Sequence, residues 1–212
     1  MGLGMDMPAS VVVQKPASAA RQLLLLFHGV GSNAQDLVPV GHRFAARHPA
    51  AWVLSIEGLQ ASDFGQGRQW FSVAGVTEEN RPQRVGAAMP AFRALVEQLQ
   101  KASGVSAANT ALIGFSQGAI MALESTQTQP PLAAHVIAFS GRFASAPTHV
   151  AHGLFVHLIH GDADPVMPVQ GSRSAALQLQ ALGVPVTLDI EPGMGHGING
   201  PMVAAALAKM PD

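Results

Sequence analysis

Five residues, Gly114-Phe115-Ser116-Gln117-Gly118, join an apolar run, Thr110-Ala111-Leu112-Ile113, to a helix-forming stretch, Ala119-Ile120-Met121-Ala122-Leu123-Glu124. A buried strand, a tight turn and then a helix is the setting in which a G-x-S-x-G pattern carries chemistry. The turn brings backbones too close together for side chains, which selects glycine on both sides and holds the central serine in a strained conformation. The Ser116 hydroxyl is therefore predicted at the carboxyl end of the strand, with a helix N-terminus behind it. An anion forming there would meet the positive end of the helix dipole and the free N–H of Gln117. A bare match to the pattern arises by chance in roughly one chain of this size and composition in seven. A glycine-flanked turn with a solvated serine is the competing reading, and the rest of the chain has to decide.

Apolar β-type runs alternate with helical stretches along the whole sequence, with no repeat and no linker that would divide residues 1–212 into domains. Val11-Val12-Val13 reads as an edge strand. Leu23 to Phe27 reads as a central one, since parallel strands covered on both faces are apolar throughout. A helix is predicted from about Gln35 to Arg47 and a strand over Trp52 to Ile56. Between Glu57 and Arg81 four glycines and Trp70-Phe71 break the pattern, and a connection that long is usually functional. Val85, Met89, Phe92, Val96 and Leu99 then recur at helical spacing. Strands follow near His135–Phe139, Leu154–Ile159 and Pro185–Ile190, with helices near Gln170–Leu182 and Pro201–Lys209. Such alternation predicts a single α/β domain, with a mostly parallel, doubly wound sheet and helices on both faces. Sites in such sheets lie beyond the carboxyl ends of the strands.

Composition removes several classes of function. The net charge of -1 and the absence of a basic cluster argue against nucleic acid as a partner. No stretch approaches the ~20 apolar residues of a membrane span. Met1-Gly2-Leu3-Gly4-Met5-Asp6 lacks the basic-then-apolar pattern of a secretory signal, and Asp6 stands where a myristoylation site wants Ser or Thr. A chain with no Cys holds no disulfide, thiolate metal site or cysteine nucleophile, and fits the cytoplasm.

Four strand ends carry chemistry. His28-Gly29-Val30-Gly31-Ser32-Asn33 follows the Leu23–Phe27 strand, and its glycines let the Val30 N–H turn inward; with Gln117 N–H it would form a two-donor oxyanion hole. The third glycine of a dinucleotide loop and the Gly-Lys-Ser/Thr of a phosphate loop are both missing. Ser116 is the second strand end. The third, His160-Gly161-Asp162-Ala163-Asp164-Pro165-Val166, offers two carboxylates. Asp162 is assigned to bonding the loop backbone and Asp164, directed by Pro165, to orienting an imidazole, with the reverse assignment as the alternative. The fourth, Gly193-Met194-Gly195-His196-Gly197-Ile198, places a histidine between glycines just before a final helix. His157 and His160 have a spacing that invites a metal, but on a strand they point to opposite faces. His42 and His48 are read as helix-surface residues, and His135, His149 and His152 as remote from the site. No metal is expected. The order Ser116, Asp164, His196 is that of the α/β-hydrolase triad.

With these stretches in place the sequence resembles the phospholipase/carboxylesterase family of small α/β-hydrolases, which includes the acyl-protein thioesterases. The shared residues are Phe27-His28-Gly29-Val30-Gly31, Trp70-Phe71, Gly114 to Gly118, Ser140-Gly141, His160-Gly161 with Asp164-Pro165-Val166, and Gly195-His196, nearly the span of the chain. Within the family, Gly67–Val73 and Ala111–Leu123 are most similar to bacterial serine esterases of the YpfH type. The resemblance implies a triad of Ser116, Asp164 and His196, an oxyanion hole from the Val30 and Gln117 backbones, ester hydrolysis through an acyl-enzyme, no cofactor, and pairing into dimers as relatives often do. Ser72 and Ser32 stand where the thioesterase branch tends to carry acids, which turns the expectation from lipidated proteins toward small to medium carboxylic esters. Thioesters, lysophospholipids or peptides remain the alternative within the family, and a non-catalytic binding protein the alternative outside it. Trp70, Phe71, Phe64 and Met167 are candidates to line an apolar substrate pocket, with Trp70 and Phe71 equally readable as core beneath the long connection. No separate lid domain is predicted, so the site is expected to be shallow and open.

Overall fold

The computed structural model describes residues 9–210. The readings made on Met1 to Asp6 lie outside the described residues. The strands are β1 (Ser10–Gln14), β2 (Gln22–Phe27), β3 (Ala51–Ile56), β4 (Gln60–Ala61), β5 (Arg68–Gln69), β6 (Thr110–Phe115), β7 (His135–Phe139), β8 (Phe155–Gly161) and β9 (Val186–Glu191). The α-helices are α1 (Val38–Arg47), α2 (Arg81–Ser103), α3 (Gln117–Glu124), α4 (Gln170–Ala181) and α5 (Gly200–Leu207). Seven strands form one sheet in the order β1-β3-β2-β6-β7-β8-β9. Only the edge strand β1 runs antiparallel to its neighbour. β4 and β5 pair separately as a small hairpin inside the long connection.

β2 shows why a central parallel strand is apolar throughout. Leu23, Leu25 and Phe27 enter a core shared with α2, α3 and α4, while Leu24 and Leu26 enter a second core against α1 and α5. Both faces are thus covered, as the α/β-hydrolase reading requires. α2 carries Pro82 in its first turn, ends on left-handed Gly104 and buries Val85, Phe92, Leu95, Val96 and Leu99. The predicted first helix opens instead as a single 3-10 turn, Ala34–Leu37, capped by the Asn33 side chain, before α1 begins. His48 corrects the sequence reading: α1 stops at Arg47, the chain turns inward toward β3, and His48 is buried there. Among the described residues no helix is long and apolar enough to cross a membrane.

The order of connection reverses between β2 and β6, and loops leaving adjacent strands at such a point part to open a crevice. The His28 loop leaves β2 and the Ser116 turn leaves β6, so both reach that crevice.

Candidate active site

Ser116 has φ 53° and ψ -114°, a left-handed conformation rare for a residue with a side chain. The flanking glycines make the turn possible by close approach. A Cβ on Gly114 would lie 2.5 Å from Ala119, and one on Gly118 would lie 2.1 Å from the Phe27 carbonyl oxygen. α3 therefore sits against the end of β2 as well as β6. Ser116 N–H donates to Phe139 O at 3.0 Å, and Ile120 N–H to Ser116 O at 3.0 Å, which fixes the strained residue from both sides.

His196 lies between the serine and a carboxylate. Its Nε2 is 3.0 Å from Ser116 Oγ, and its Nδ1 is 2.6 Å from Asp164 Oδ2. An ionised carboxylate only accepts, so the proton sits on Nδ1 and the bare Nε2 accepts from the serine hydroxyl. Asp164 is buried, and its Oδ1 accepts the N–H groups of Val166 and Met167, each at 2.8 Å. Burial by itself raises the carboxyl pKa; the bonds from Met167, His196 and Val166 outweigh it and hold the group below the ordinary carboxylate value. The His196 loop is laid directly on the end of β8: a Cβ on Gly161 would be 2.2 Å from Met194 O, and Ala163 N–H donates to Met194 O at 3.1 Å. The Phe115 ring, 4.9 Å from the imidazole, supports it from beneath. Asp162 takes no part in this relay. Its Oδ1 accepts Gly193 N–H at 2.6 Å and so anchors the start of the His196 loop.

The loop after β2 is fixed by the long connection. Gly58 N–H donates to His28 Nε2 at 2.9 Å, which leaves the ring proton on Nδ1, 2.7 Å from Gly29 O. Burial lowers the His28 pKa and keeps the ring neutral. Trp70 Nε1–H donates to His28 O at 2.8 Å, and Gly31 N–H to Arg68 O at 2.8 Å. The Gln117 side chain accepts Trp70 N–H at 2.8 Å and donates to Phe71 O at 2.7 Å. Gly29 packs on the elbow, where a Cβ would be 3.2 Å from Ser116 Cβ. Among the described residues no acceptor is bonded to the backbone N–H of Val30 or of Gln117.

The candidate pocket residues differ in their exposure. Trp70 and Phe71 are 1% and 2% exposed and belong to the core, Trp70 meeting Phe27 edge-on at 5.3 Å. Phe64, 68% exposed, lies in the connection between β4 and β5, and Met167 is half-buried against the core. Ser32 and Ser72 each donate to a nearby carboxylate, Asp36 at 2.6 Å and Asp63 at 2.8 Å. The sequence reading also passed over two residues near the acid and the elbow. One is the side chain of Gln117, whose partners are 46 and 47 residues away. The other is His160, read as part of the shared His160-Gly161 motif and as a metal spacing with His157, whose Nε2 is 3.3 Å from Asp164 Oδ2. Its place at the end of β8, four residues before Asp164, was the available signal. Among the described residues no group of three His, Cys, Asp or Glu could hold a metal.

The family described as Phospholipase/Carboxylesterase matches residues 8–210. Esterase YpfH of Escherichia coli (strain K12) is 50% identical over 196 residues, 92% of this chain and 84% of that protein. Acyl-protein thioesterase 1 of Kluyveromyces lactis is 27% identical over 191 residues, covering 80% of this chain and 81% of its own. The crystal structure of esterase PE8 matches with a TM-score of 0.84 at 32% identity, covering 92% of this chain and 94% of that one. That of the Bacillus cereus carboxylesterase matches at 0.81 and 22% identity over 96% and 93% of the two chains, a likeness of fold alone.

Proposed function

Because the chain belongs to the phospholipase/carboxylesterase family, we propose that it is a serine esterase that hydrolyses small to medium carboxylic esters through an acyl-enzyme on Ser116. The observation that carries the reading is the imidazole of His196, bonded at one nitrogen to Ser116 and at the other to Asp164. Ser116 Oγ attacks the ester carbonyl carbon while His196 Nε2 takes its proton, and the carbonyl electron pair moves to oxygen. The unbonded amides of Val30 and Gln117 receive that oxyanion, with the N-terminus of α3 behind it. As the tetrahedral species collapses, the C–O bond to the alcohol breaks and His196 returns the proton to the leaving oxygen. Water then repeats the sequence on the acyl-enzyme and frees the acid and Ser116. Asp164 keeps the proton on Nδ1 throughout and balances the imidazolium. No step calls for a cofactor.

The choice of small oxygen esters rests on the 50% identity to an esterase and on the burial of Trp70 and Phe71, which gives their rings to the core. An aryl-ester panel graded by acyl length, a matched thioester and a Ser116→Ala control test it. Acetate and butyrate are expected to turn over fastest, and the Ala variant to lose on the order of a million-fold in turnover. A preference for long chains or for the thioester overturns the substrate class. Failure of a fluorophosphonate to add mass at Ser116 overturns the mechanism and returns the protein to a binding role.

A further inference from the structure

His160 is fully enclosed at the end of β8, and both of its ring nitrogens have partners. Nε2 lies 2.7 Å from the Met167 carbonyl oxygen and 3.3 Å from Asp164 Oδ2. Both of those atoms only accept, so Nε2 must carry a proton. Nδ1 lies 2.7 Å from Ser172 Oγ on α4. Burial holds the imidazole pKa below its ordinary value, so at neutral pH Nδ1 is bare and takes the Ser172 hydroxyl proton. Gly141 O, 2.8 Å from the same hydroxyl, is the competing acceptor. The tautomer is thus set by the surroundings, with the N–H directed at the acid loop.

Asp164 then has donors on every side. Oδ1 takes the amides of Val166 and Met167, and Oδ2 faces two imidazoles, His196 at 2.6 Å and His160 at 3.3 Å. The titratable groups that bear on His160 are Asp164 and, from the loop after β9, His196.

We propose that His160 is a positioning residue for the hydrolysis: a second imidazole that shares Asp164 Oδ2 with His196 and fixes the direction of that carboxylate. The proposal rests on the Ser116–His196–Asp164 reading above. The His160 N–H is donated to Met167 O, with Asp164 Oδ2 3.3 Å from the same nitrogen, and so it holds the acid loop against rotation of the carboxylate away from His196.

The test uses the full chain with His160→Phe and, separately, His160→Gln. Steady-state kcat and KM are measured on an aryl ester, and the rate of Ser116 phosphonylation by a fluorophosphonate is measured alongside. In His160→Phe, kcat is expected to fall about 10- to 100-fold with KM within about twofold. The phosphonylation rate is expected to fall with kcat. His160→Gln, whose amide N–H reaches toward the same acceptors, is expected to recover most of both rates. An unmoved kcat in His160→Phe, or a Gln variant as impaired as the Phe one, overturns the proposal. If the Phe variant does not fold, imidazole nitrogen NMR of the unaltered protein decides. The proposal requires His160 as the Nε2–H tautomer, with a resonance that shifts when Ser116 is phosphonylated; the other tautomer, or an indifferent resonance, overturns it. Failure of the triad reading looks different, since the unaltered protein would then take up no phosphonate at Ser116.

Discussion

Gln117 holds the main chain of Trp70 across 47 residues, its Oε1 accepting the Trp70 N–H at 2.8 Å. The same amide donates to the Phe71 carbonyl at 2.7 Å, so one side chain satisfies two buried backbone groups just beyond β5. Trp70 in turn donates from its indole to His28 O, which ties the turn after β6 to the loop after β2. The backbone of Gln117 faces the proposed oxyanion while its side chain braces the connection that holds the other donor loop.

Gln117→Ala removes both partners at once. Each buried group left unsatisfied costs about 1–3 kcal/mol, so the variant is expected to lose roughly 2–6 kcal/mol of stability. Turnover should fall with it, because Trp70 no longer steadies the His28 carbonyl. Urea denaturation alongside kcat checks this; an unchanged midpoint would show that the 70–71 segment is held by other contacts.

Trp70→Phe separates scaffold from pocket. The ring packing on Phe27 and Phe92 is largely kept, while the indole bond to His28 O is lost. A loss of about 1–2 kcal/mol is expected, with kcat lowered by the same factor for every acyl length. Activity losses graded by acyl length would instead identify Trp70 as a wall of the substrate site.

The two acids after β8 are expected to behave oppositely. Asp164→Asn presents an amide to His196 and allows the wrong tautomer, with an expected loss of about ten-thousand-fold in kcat. Asp162→Asn retains an oxygen for the Gly193 N–H, so its turnover should stay within about tenfold. Parallel kinetics of the two variants decide between them, and a ranking reversed from this one would move the acid from Asp164 to Asp162.

The elements around Ser116 were legible because their causes are local. A strand buried on both faces must be apolar along its length, and the elbow needs glycine where α3 touches Phe27 O, so β2, β6 and the turn could be read directly. The order of Ser116, Asp164 and His196 followed from which strands end in polar loops. The 57–81 connection was not legible, since its contacts are side-chain bonds to distant backbone, such as Gln117 to Phe71 and Arg68 Nε to Gly58 O. Neither periodicity nor propensity encodes such pairs, which is why Trp70 and Phe71 had two equal readings. His160 was missed for a related reason. Its importance depends on which way one nitrogen points, and that is set by Ser172 on α4 and by Met167.

Stability should begin to fall at a pH where carboxylates are still ionised. His157, on the face of β8 that meets α5, stacks 4.4 Å from the Phe155 ring and 6.2 Å from His135, with Nδ1 2.8 Å from Thr187 Oγ1. Burial first, then the charges of His135 and Lys209, lowers its pKa from 6.5 to about 4. Burial also lowers His135, His28 and His160. The unfolded chain therefore takes up protons that the native state refuses, and the stability owed to a neutral His157 is complete above about pH 6.5 and lost as the pH falls toward 4. A shift of that size corresponds to on the order of 3 kcal/mol for this one residue. Asp63 and Glu78, both lowered to about 2 by hydrogen bonds, act in a separate and more acidic window, where stability present above about pH 4 is lost as the pH falls to 2. Urea unfolding from pH 7.5 to 4 is expected to show a declining free energy that His157→Gln flattens, and an equal slope in both proteins would place the acid sensitivity in other groups.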